Sequence, residues 1–169
     1  VKQGDLDFIL LKPVNSQFFI SCRYVNSYAL ISIFILSVLL IKLSYAYHNN
    51  TFIIINYIYY FFSLILGMFI FYSLEFIIAS LVFWFRNFSY AGWLAGELIK
   101  YARRPDSIYS KWFRKSLFTI FPMAMISSVP SRFLIYGVNI KLFFLQIIIT
   151  CFFVSITIIV WKRGLLRYE

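Results

Sequence analysis

The sequence lacks the residue groups from which catalytic and metal sites are usually built. It has one histidine, His48, and two cysteines, Cys22 and Cys151, which fall in or beside apolar runs far apart. No further histidine, cysteine or carboxylate stands at metal-ligand spacing, and there is no phosphate-binding loop of the Walker type. The chain therefore offers neither a metal site nor ATP hydrolysis of its own, and we expect both cysteines to be buried thiols.

Acidic residues are also scarce, six against sixteen basic ones. The three aspartates, Asp5, Asp7 and Asp106, fall outside the apolar runs, which excludes the buried aspartate pair of an intramembrane protease. Only Glu75 lies inside such a run. An ionisable group at the centre of a membrane costs about 2.5–3.5 kcal/mol by insertion scales, so it needs a partner or a path to water. Glu75 is either a functional intramembrane residue or a residue near a helix end that reaches water or a basic neighbour.

Apolar residues are abundant instead, at 62% of the chain, with a mean hydropathy of +0.83. A soluble domain averages roughly 45–50% apolar residues, so too few polar residues remain here to cover a globule. Lipid solves this problem by replacing water as the solvent. The net charge of +10 is distributed at the ends of apolar runs, not along one solvated face. That distribution argues against nucleic acid and for an integral membrane protein.

The apolar runs predict an all-α polytopic bundle with four transmembrane helices over residues 24–47, 52–85, 112–136 and 142–161. The second run has 34 residues, one charge and no proline, so we expect one long, tilted or bent helix instead of a hairpin. The third contains Pro122 and Pro130, which we expect to bend the helix. The fourth is an uncharged run of 20 residues.

The basic residues predict which pieces stay in the cytoplasm. Residues 1–23, 86–111 and 162–169, with the flanking start of the third run, hold thirteen of the sixteen lysines and arginines. The positive-inside rule therefore places both ends of the described topology in the cytoplasm and leaves only Lys42, Arg132 and Lys141 outside. Within the central piece, residues 89–103 predict an amphipathic helix on the membrane surface, with Tyr90, Leu94, Leu98 and Tyr101 as its apolar stripe.

Several short motifs occur in a distinctive order. They are Gly4-Asp5-Leu6-Asp7, Leu10-Leu11-Lys12-Pro13, Phe83-Trp84, Pro105-Asp106-Ser107-Ile108-Tyr109, Phe121-Pro122, Val129-Pro130, and a final set of Trp161, Gly164, Leu165, Tyr168 and Glu169. Each is weak alone, but together they span almost the whole chain. In this order they resemble the permease subunits of ABC-2-type transporters, in particular bacterial permeases with a Gly-x-Leu-Asp and Lys-Pro segment.

The resemblance implies a permease of an ATP-driven exporter in a bacterial plasma membrane. Six spans are expected, so the chain is expected to be a fragment that lacks the first two. A separate ABC ATPase would bind ATP and Mg²⁺, a second permease subunit, identical or different, would complete the pathway, and this chain would hold no cofactor. The ATPase contact maps onto a cytoplasmic coupling segment formed by Gly4, Asp5, Leu6, Asp7, Lys12 and Pro13.

One alternative from another class remains open at this stage. The chain could be a polytopic membrane protein that does not transport but acts by binding, such as an assembly or immunity factor. Residues that line a pathway and residues that face lipid are both apolar, so composition does not separate the two functions. An ATPase partner would favour the permease.

Overall fold

The computed structural model of the chain describes residues 11–13, 15–22, 27–47, 54–85 and 90–168, in which all regular structure is helical. Clustering of contacts divides the chain into two compact units, residues 1–42 and residues 43–169. The helices are α1 (Ser16–Cys22), α2 (Ser27–Tyr47), α3 (Ile54–Ser80), α4 (Ala91–Ala102), α5 (Lys111–Thr119), α6 (Met123–Ile135) and α7 (Ile140–Tyr168).

The first unit begins with a capped helix. The Asn15 side chain accepts hydrogen bonds from the backbone N–H groups of Gln17 (3.0 Å) and Phe18 (3.3 Å), so Asn15 is the N-cap of α1. Before the cap, the Lys12 ammonium lies 4.1 Å from the centre of the Phe19 ring. This cation–π contact folds the end of the predicted coupling segment against α1.

Helix α2 occupies the first predicted span. It has 21 residues, of which Ile31–Ala46 form an apolar stretch. At 1.5 Å per residue the helix is about 31 Å long, close to the roughly 30 Å of a hydrocarbon core. Large apolar side chains along it, such as Ile33, Phe34 and Leu36, are exposed, which suits a lipid environment better than water.

Two helices in the second unit have the length and composition of membrane spans, Ile54–Phe83 and Ile140–Arg167. The first is α3, continued by a 3₁₀ turn over Leu81–Phe83. The single long helix expected over 52–85 is therefore present across the described residues of that run. The second is α7, which extends the predicted 142–161 span at both ends. Among the described residues of this unit, α5 and α6 add a further crossing if the bent pair is counted as one broken span.

Helices α3 and α7 run parallel to each other. Their contacts join early residues of one helix to early residues of the other, and later residues to later ones. Ser63 pairs with Gln146, and the Thr157 hydroxyl donates to the carbonyl of Ser73. Further along, the rings of Phe76 and Trp161 lie 5.1 Å apart. If both helices cross a membrane in the same direction, the chain between them must return to the starting side.

Helix α6 makes part of that return and runs antiparallel to α3. Ile126, near its start, lies against Gly67, whereas Phe133, near its end, has its ring 6.4 Å from that of Tyr59. The core of the unit lies where α3, α6 and α7 meet. Its members include Ile70, Leu74, Met125, Val129, Phe133, Ile149 and Phe153.

The segment predicted to cross over 112–136 is bent, as expected at Pro122. The segment forms two helices, α5 and α6, bent by 96° at residues 120–122. Pro122 stands at this bend, because a proline has no N–H to continue α5 and fits the start of α6. Pro130, the other predicted bend residue, lies inside α6, which is continuous from Met123 to Ile135.

Helix α4 packs within the bundle against α3 and α6. Leu98 of the predicted apolar stripe lies against the core, and Ala102 is buried, but Tyr90 at the other end is 70% exposed. The Ser127 hydroxyl of α6 donates to the backbone carbonyl of Ala102. The stripe expected to contact lipid at the membrane surface therefore contacts protein over its second half.

One expectation about cysteine is also wrong. Cys151 lies on the exposed side of α7, next to Phe152 (59% exposed) and close to Ile148 (64% exposed). An apolar thiol on this surface faces the same environment as its aliphatic neighbours, so its hydrophobicity did not distinguish a buried position from a lipid-facing one.

Candidate functional site

A buried carboxylate at one end of the second unit is held by two arginines. Asp106 begins a 3₁₀ turn, Asp106–Ile108, that follows Pro105, and only 4% of its surface is exposed. Its Oδ2 atom lies 2.7 Å from Nε of Arg114 and 2.5 Å from Nη2 of Arg132. A buried charge is tolerated only when it is paired, and here two guanidinium groups compensate one carboxylate. The Asp106 cluster, defined as these three residues, ties the turn to α5 and α6.

The two arginines have donors to spare. Arg114 uses Nε and Arg132 uses one Nη atom, and each guanidinium has five N–H donors. Within the described part of the chain, neither makes another hydrogen bond. The Arg132 guanidinium also lies 5.6 Å from the centre of the Phe118 ring, which fixes its plane. Both side chains stay partly open to the surroundings, at 41% for Arg114 and 28% for Arg132.

Two cavities adjoin the cluster and share Ser107, Arg132 and Tyr136 in their linings. The larger, of about 910 Å³, is bounded by Arg114, by the turn that joins α6 to α7 and by the first residues of α7. The smaller, of about 360 Å³, lies between the end of α4 and α6. Its other polar lining residues are Arg103, Arg104, Asp106, Ser127, Ser128 and Ser131.

Positive charge exceeds negative charge in these linings. Five basic residues contribute to the two cavities, namely Arg103, Arg104, Arg114, Arg132 and Lys141, and the only carboxylate in either lining is Asp106. Arg103, Arg104 and Lys141 make no ion pair with any residue that the structure describes. Glu97, the acid nearest in sequence after Asp106, is bonded to Lys100 at 2.5 Å. The arrangement can hold an anion by charge and by multiple hydrogen-bond donors.

A second polar group lies inside the bundle, away from the cluster. The Gln146 side chain is fully buried and satisfies three partners on two other helices. Its Nε2 atom donates to the backbone carbonyls of Ser63 (2.9 Å) and Met125 (3.0 Å), and its Oε1 atom accepts from the Ser63 hydroxyl (2.7 Å). This amide joins α7 to both α3 and α6. It is a structural link that holds α6 against the two long helices.

Close packing of α6 on α3 supports the same link. Pro130 has no N–H, so the carbonyl of Ile126 lacks its usual helical donor. This carbonyl lies against Gly67, where an added Cβ atom would be 3.0 Å from the oxygen and 3.2 Å from the Ile126 Cα atom. A Cβ atom at this position would require the two backbones to move apart by a few tenths of an ångström, so the glycine suits the close approach.

The residues that the sequence predicted for the site are not those of the Asp106 cluster. Gly4, Asp5, Leu6 and Asp7 lie outside the described residues, whereas Lys12 and Pro13 are exposed beside α1. Glu75 is on the exposed side of α3, more than three helical turns beyond Ser63 toward the end opposite the Asp106 cluster. The structure therefore does not bring Glu75 and the cluster together.

The Asp106–Arg132 ion pair corrects one part of the predicted topology. The charge count assigned Asp106 to the cytoplasm and Arg132 to the outside, and two side chains 2.5 Å apart cannot lie on opposite sides of a membrane. Sequence reasoning missed the pair because it assigned residues 86–111 to the cytoplasm and the far end of the 112–136 crossing to the outside. The sequence does contain signals for both groups: Arg132 is a charge between apolar runs, and Gln146 is the only amide between residues 142 and 161.

Comparison with known proteins gives one match. A family model described as ABC-2 family transporter protein matches residues 1–169. No curated protein matches the chain. No solved structure matches it either.

Proposed function

The chain belongs to the ABC-2 family of transporter proteins, and we propose that it forms the translocation pathway of an ATP-driven exporter together with a second permease subunit. The family match over all 169 residues is the observation that carries this proposal. A permease of this kind does no chemistry, because a separate ABC ATPase binds ATP and Mg²⁺. Its task is to change the accessibility of a path through the membrane.

The helix packing supports such a movement. Two long parallel helices, α3 and α7, form a frame, whereas the segment between them consists of shorter helices, two of which meet at a sharp bend. The 96° bend at residues 120–122 lets α5 change direction relative to α6 without breaking a regular helix. Rigid-body motion about short connections is a common mechanism of conformational switching.

We place the ATPase contact at the coupling segment, Gly4 to Pro13. Two acidic residues, Asp5 and Asp7, precede an apolar run there, and Lys12 is anchored to α1 through the Phe19 ring. Closure of the ATPase dimer would push on this segment, and α1 would transmit the push toward α2. This mechanism needs no ionisable residue inside the membrane, so Glu75 is assigned no step in it.

The remaining assignments follow from the permease. The protein lies in a bacterial plasma membrane with its N-terminal segment and its C-terminal residues in the cytoplasm. The second permease subunit, a copy of this chain or a related one, would cover exposed apolar side chains of α3 such as Phe61 and Phe69.

Charge reversal in the coupling segment tests the proposal. The full protein is co-expressed with an ABC ATPase, and the ATPase that co-purifies is quantified for the Asp5→Lys/Asp7→Lys variant. We expect recovery to fall at least about tenfold, because two charge-assisted contacts are each worth about 1.5–3 kcal/mol. Glu169→Lys, an acid-to-lysine change at the other end of the chain, is the control and is expected to leave recovery unchanged.

Two results would contradict this proposal in different ways. Equal ATPase recovery with the double variant and the control would show that the contact lies elsewhere. Failure of any ABC ATPase to co-purify with the unaltered chain would favour a membrane protein that acts by binding alone.

A further inference from the structure

We propose that the Asp106 cluster and its two cavities bind a phosphate group of the transported substrate. The assignment of that ligand as a substrate rests on the proposed function; the binding itself does not. The observations that support it are the excess of cations, the fixed guanidinium groups, the hydroxyl groups in the smaller cavity and the apolar side of the larger one.

Retention of loops in the cytoplasm explains the cations at one end of α7 only. The larger cavity lies where α6 ends and α7 begins, and Lys141 is among its lining residues. The opposite end of α7 carries its own basic residues, Lys162 and Arg163, next to the apolar run. Because α7 has cations at both ends, the positive-inside rule can account for only one of the two groups. The other group needs a different role.

The Asp106 cluster holds its two guanidinium groups in an orientation that suits an oxyanion. The carboxylate fixes Arg114 through Nε and Arg132 through Nη2, so their planes are set before a ligand enters. The nitrogen atoms that remain can donate in pairs to the oxygens of a phosphate, and planar guanidinium groups suit this geometry. Asp106 acts here as a positioning residue, because it touches the arginines and leaves their other donors for the ligand.

Hydroxyl groups add donors in the smaller cavity. Ser107 and Ser128 both line it, and neither side chain is hydrogen-bonded to a described residue. Ser127 and Ser131 also line it but already donate to the backbone carbonyls of Ala102 and Ser127. Ser107 and Ser128 can therefore supplement the arginines at the phosphate oxygens.

The larger cavity adds an apolar surface. Phe133, Val138, Ile140 and Leu142 contribute to its lining, beside Arg114 and Arg132. A phosphate attached to an apolar group would satisfy both parts of the site. Such a compound can be a membrane lipid, whose headgroup enters the cavity, or a phosphorylated molecule from solution.

Neutralising the unpaired cations tests the site without touching the Asp106 cluster. The site variant is Arg103→Gln/Arg104→Gln/Lys141→Gln, three exposed residues without ion pairs among the described residues. The control is Lys162→Gln/Arg163→Gln/Arg167→Gln, which removes the same charge at the other end of α7. Both proteins are purified whole in a neutral detergent and compared with the unaltered chain.

Two measurements separate the sources of phosphate. Calorimetric titration with inorganic pyrophosphate measures binding from solution, and native mass spectrometry counts the anionic phospholipid retained from the membrane. For a soluble ligand we expect the site variant to bind pyrophosphate at least about tenfold more weakly than the unaltered chain, with the control within about twofold. For a lipid ligand we expect the site variant alone to lose its retained phospholipid.

The same preparations distinguish this inference from the proposed function. If neither pyrophosphate binding nor phospholipid retention differs between the site variant and the control, the phosphate site is wrong, whether or not an ATPase co-purifies. If the two variants differ as expected but no ABC ATPase co-purifies with the unaltered chain, the site stands and the ligand is not a transported substrate.

Discussion

Ser63 and Gln146 are joined by two hydrogen bonds that run in opposite directions. The Ser63 hydroxyl donates to Oε1 of Gln146 over 2.7 Å, and Nε2 of Gln146 donates to the Ser63 carbonyl over 2.9 Å. The amide then reaches Met125 of α6 at 3.0 Å. One side chain thus connects the parallel pair α3 and α7 to the antiparallel helix between them.

Replacing this amide should destabilise the bundle. In Gln146→Leu, the Ser63 and Met125 carbonyls lose a buried donor, and we expect unfolding to become easier by about 1–2 kcal/mol. Reversible unfolding in mixed detergent and dodecyl sulfate measures this change. Ser155→Ala on the exposed side of α7, where the hydroxyl bonds only within its own helix, should change stability by less than about 0.5 kcal/mol. If both variants lowered the free energy of unfolding equally, Gln146 would not be a special link between the helices.

Gly67 lies beside Ile126, and its replacement by alanine is predicted to be unfavourable for steric reasons; the same replacement at Gly96 is the comparison. Gly67→Ala places a Cβ atom 3.0 Å from a backbone oxygen that cannot rotate away, so α3 and α6 must separate. We expect a loss of about 1–3 kcal/mol in the free energy of unfolding. Gly96→Ala in α4 meets no atom within 4 Å and should instead stabilise by up to about 1 kcal/mol. The opposite signs can be measured in one unfolding series, and a neutral Gly67→Ala would contradict the close approach.

Removal of the buried carboxylate should be more harmful than removal of an exposed one. Asp106→Asn leaves two arginines without their shared partner, and we expect a loss of about 2 kcal/mol, below the 3–5 kcal/mol of a fully buried pair because Arg114 is partly exposed. Glu97→Gln breaks the exposed pair with Lys100 and should cost no more than about 0.5 kcal/mol. Thermal unfolding of the purified proteins compares them. Similar midpoints for the two variants would show that the Asp106 cluster is not structural.

Local properties of the sequence predicted the membrane class and the two long helices. An uncharged run of 20 residues and a 34-residue run without proline are sufficient to indicate α7 and α3, because helix length and lipid burial depend on neighbours in sequence. Between Phe85 and Ile140 the sequence predicted the bend at Pro122, but the packing of α4 and the pairing of Asp106 with Arg132 depend on contacts between distant residues that no local pattern contains.

The count of basic residues did not predict on which side Arg103 and Arg104 lie, for a physical reason. It placed every basic residue between 86 and 115 on one side, but α4 packs on α3 and α6, and Arg103 and Arg104 line a cavity with Arg132. Five cations lie between Arg103 and Lys115. If these five lie on the same side of the membrane as Lys141, each side holds eight of the sixteen basic residues. The rule then no longer selects an orientation, since it needs an imbalance between the two sides.

Accessibility labelling tests which residues share a side. In a background with Cys22→Ser and Cys151→Ser, single variants Ser107→Cys, Lys141→Cys and Lys162→Cys are treated with a membrane-impermeant maleimide in intact cells. Ser107 and Lys141 line the same cavity, so both should label equally from outside, and Lys162→Cys only after permeabilisation. If Ser107→Cys labels with Lys162→Cys instead, the Asp106–Arg132 pair does not exist in the membrane. If all three patterns are inverted together, the cavity lies on the cytoplasmic side and a phosphate-bearing ligand enters it from there.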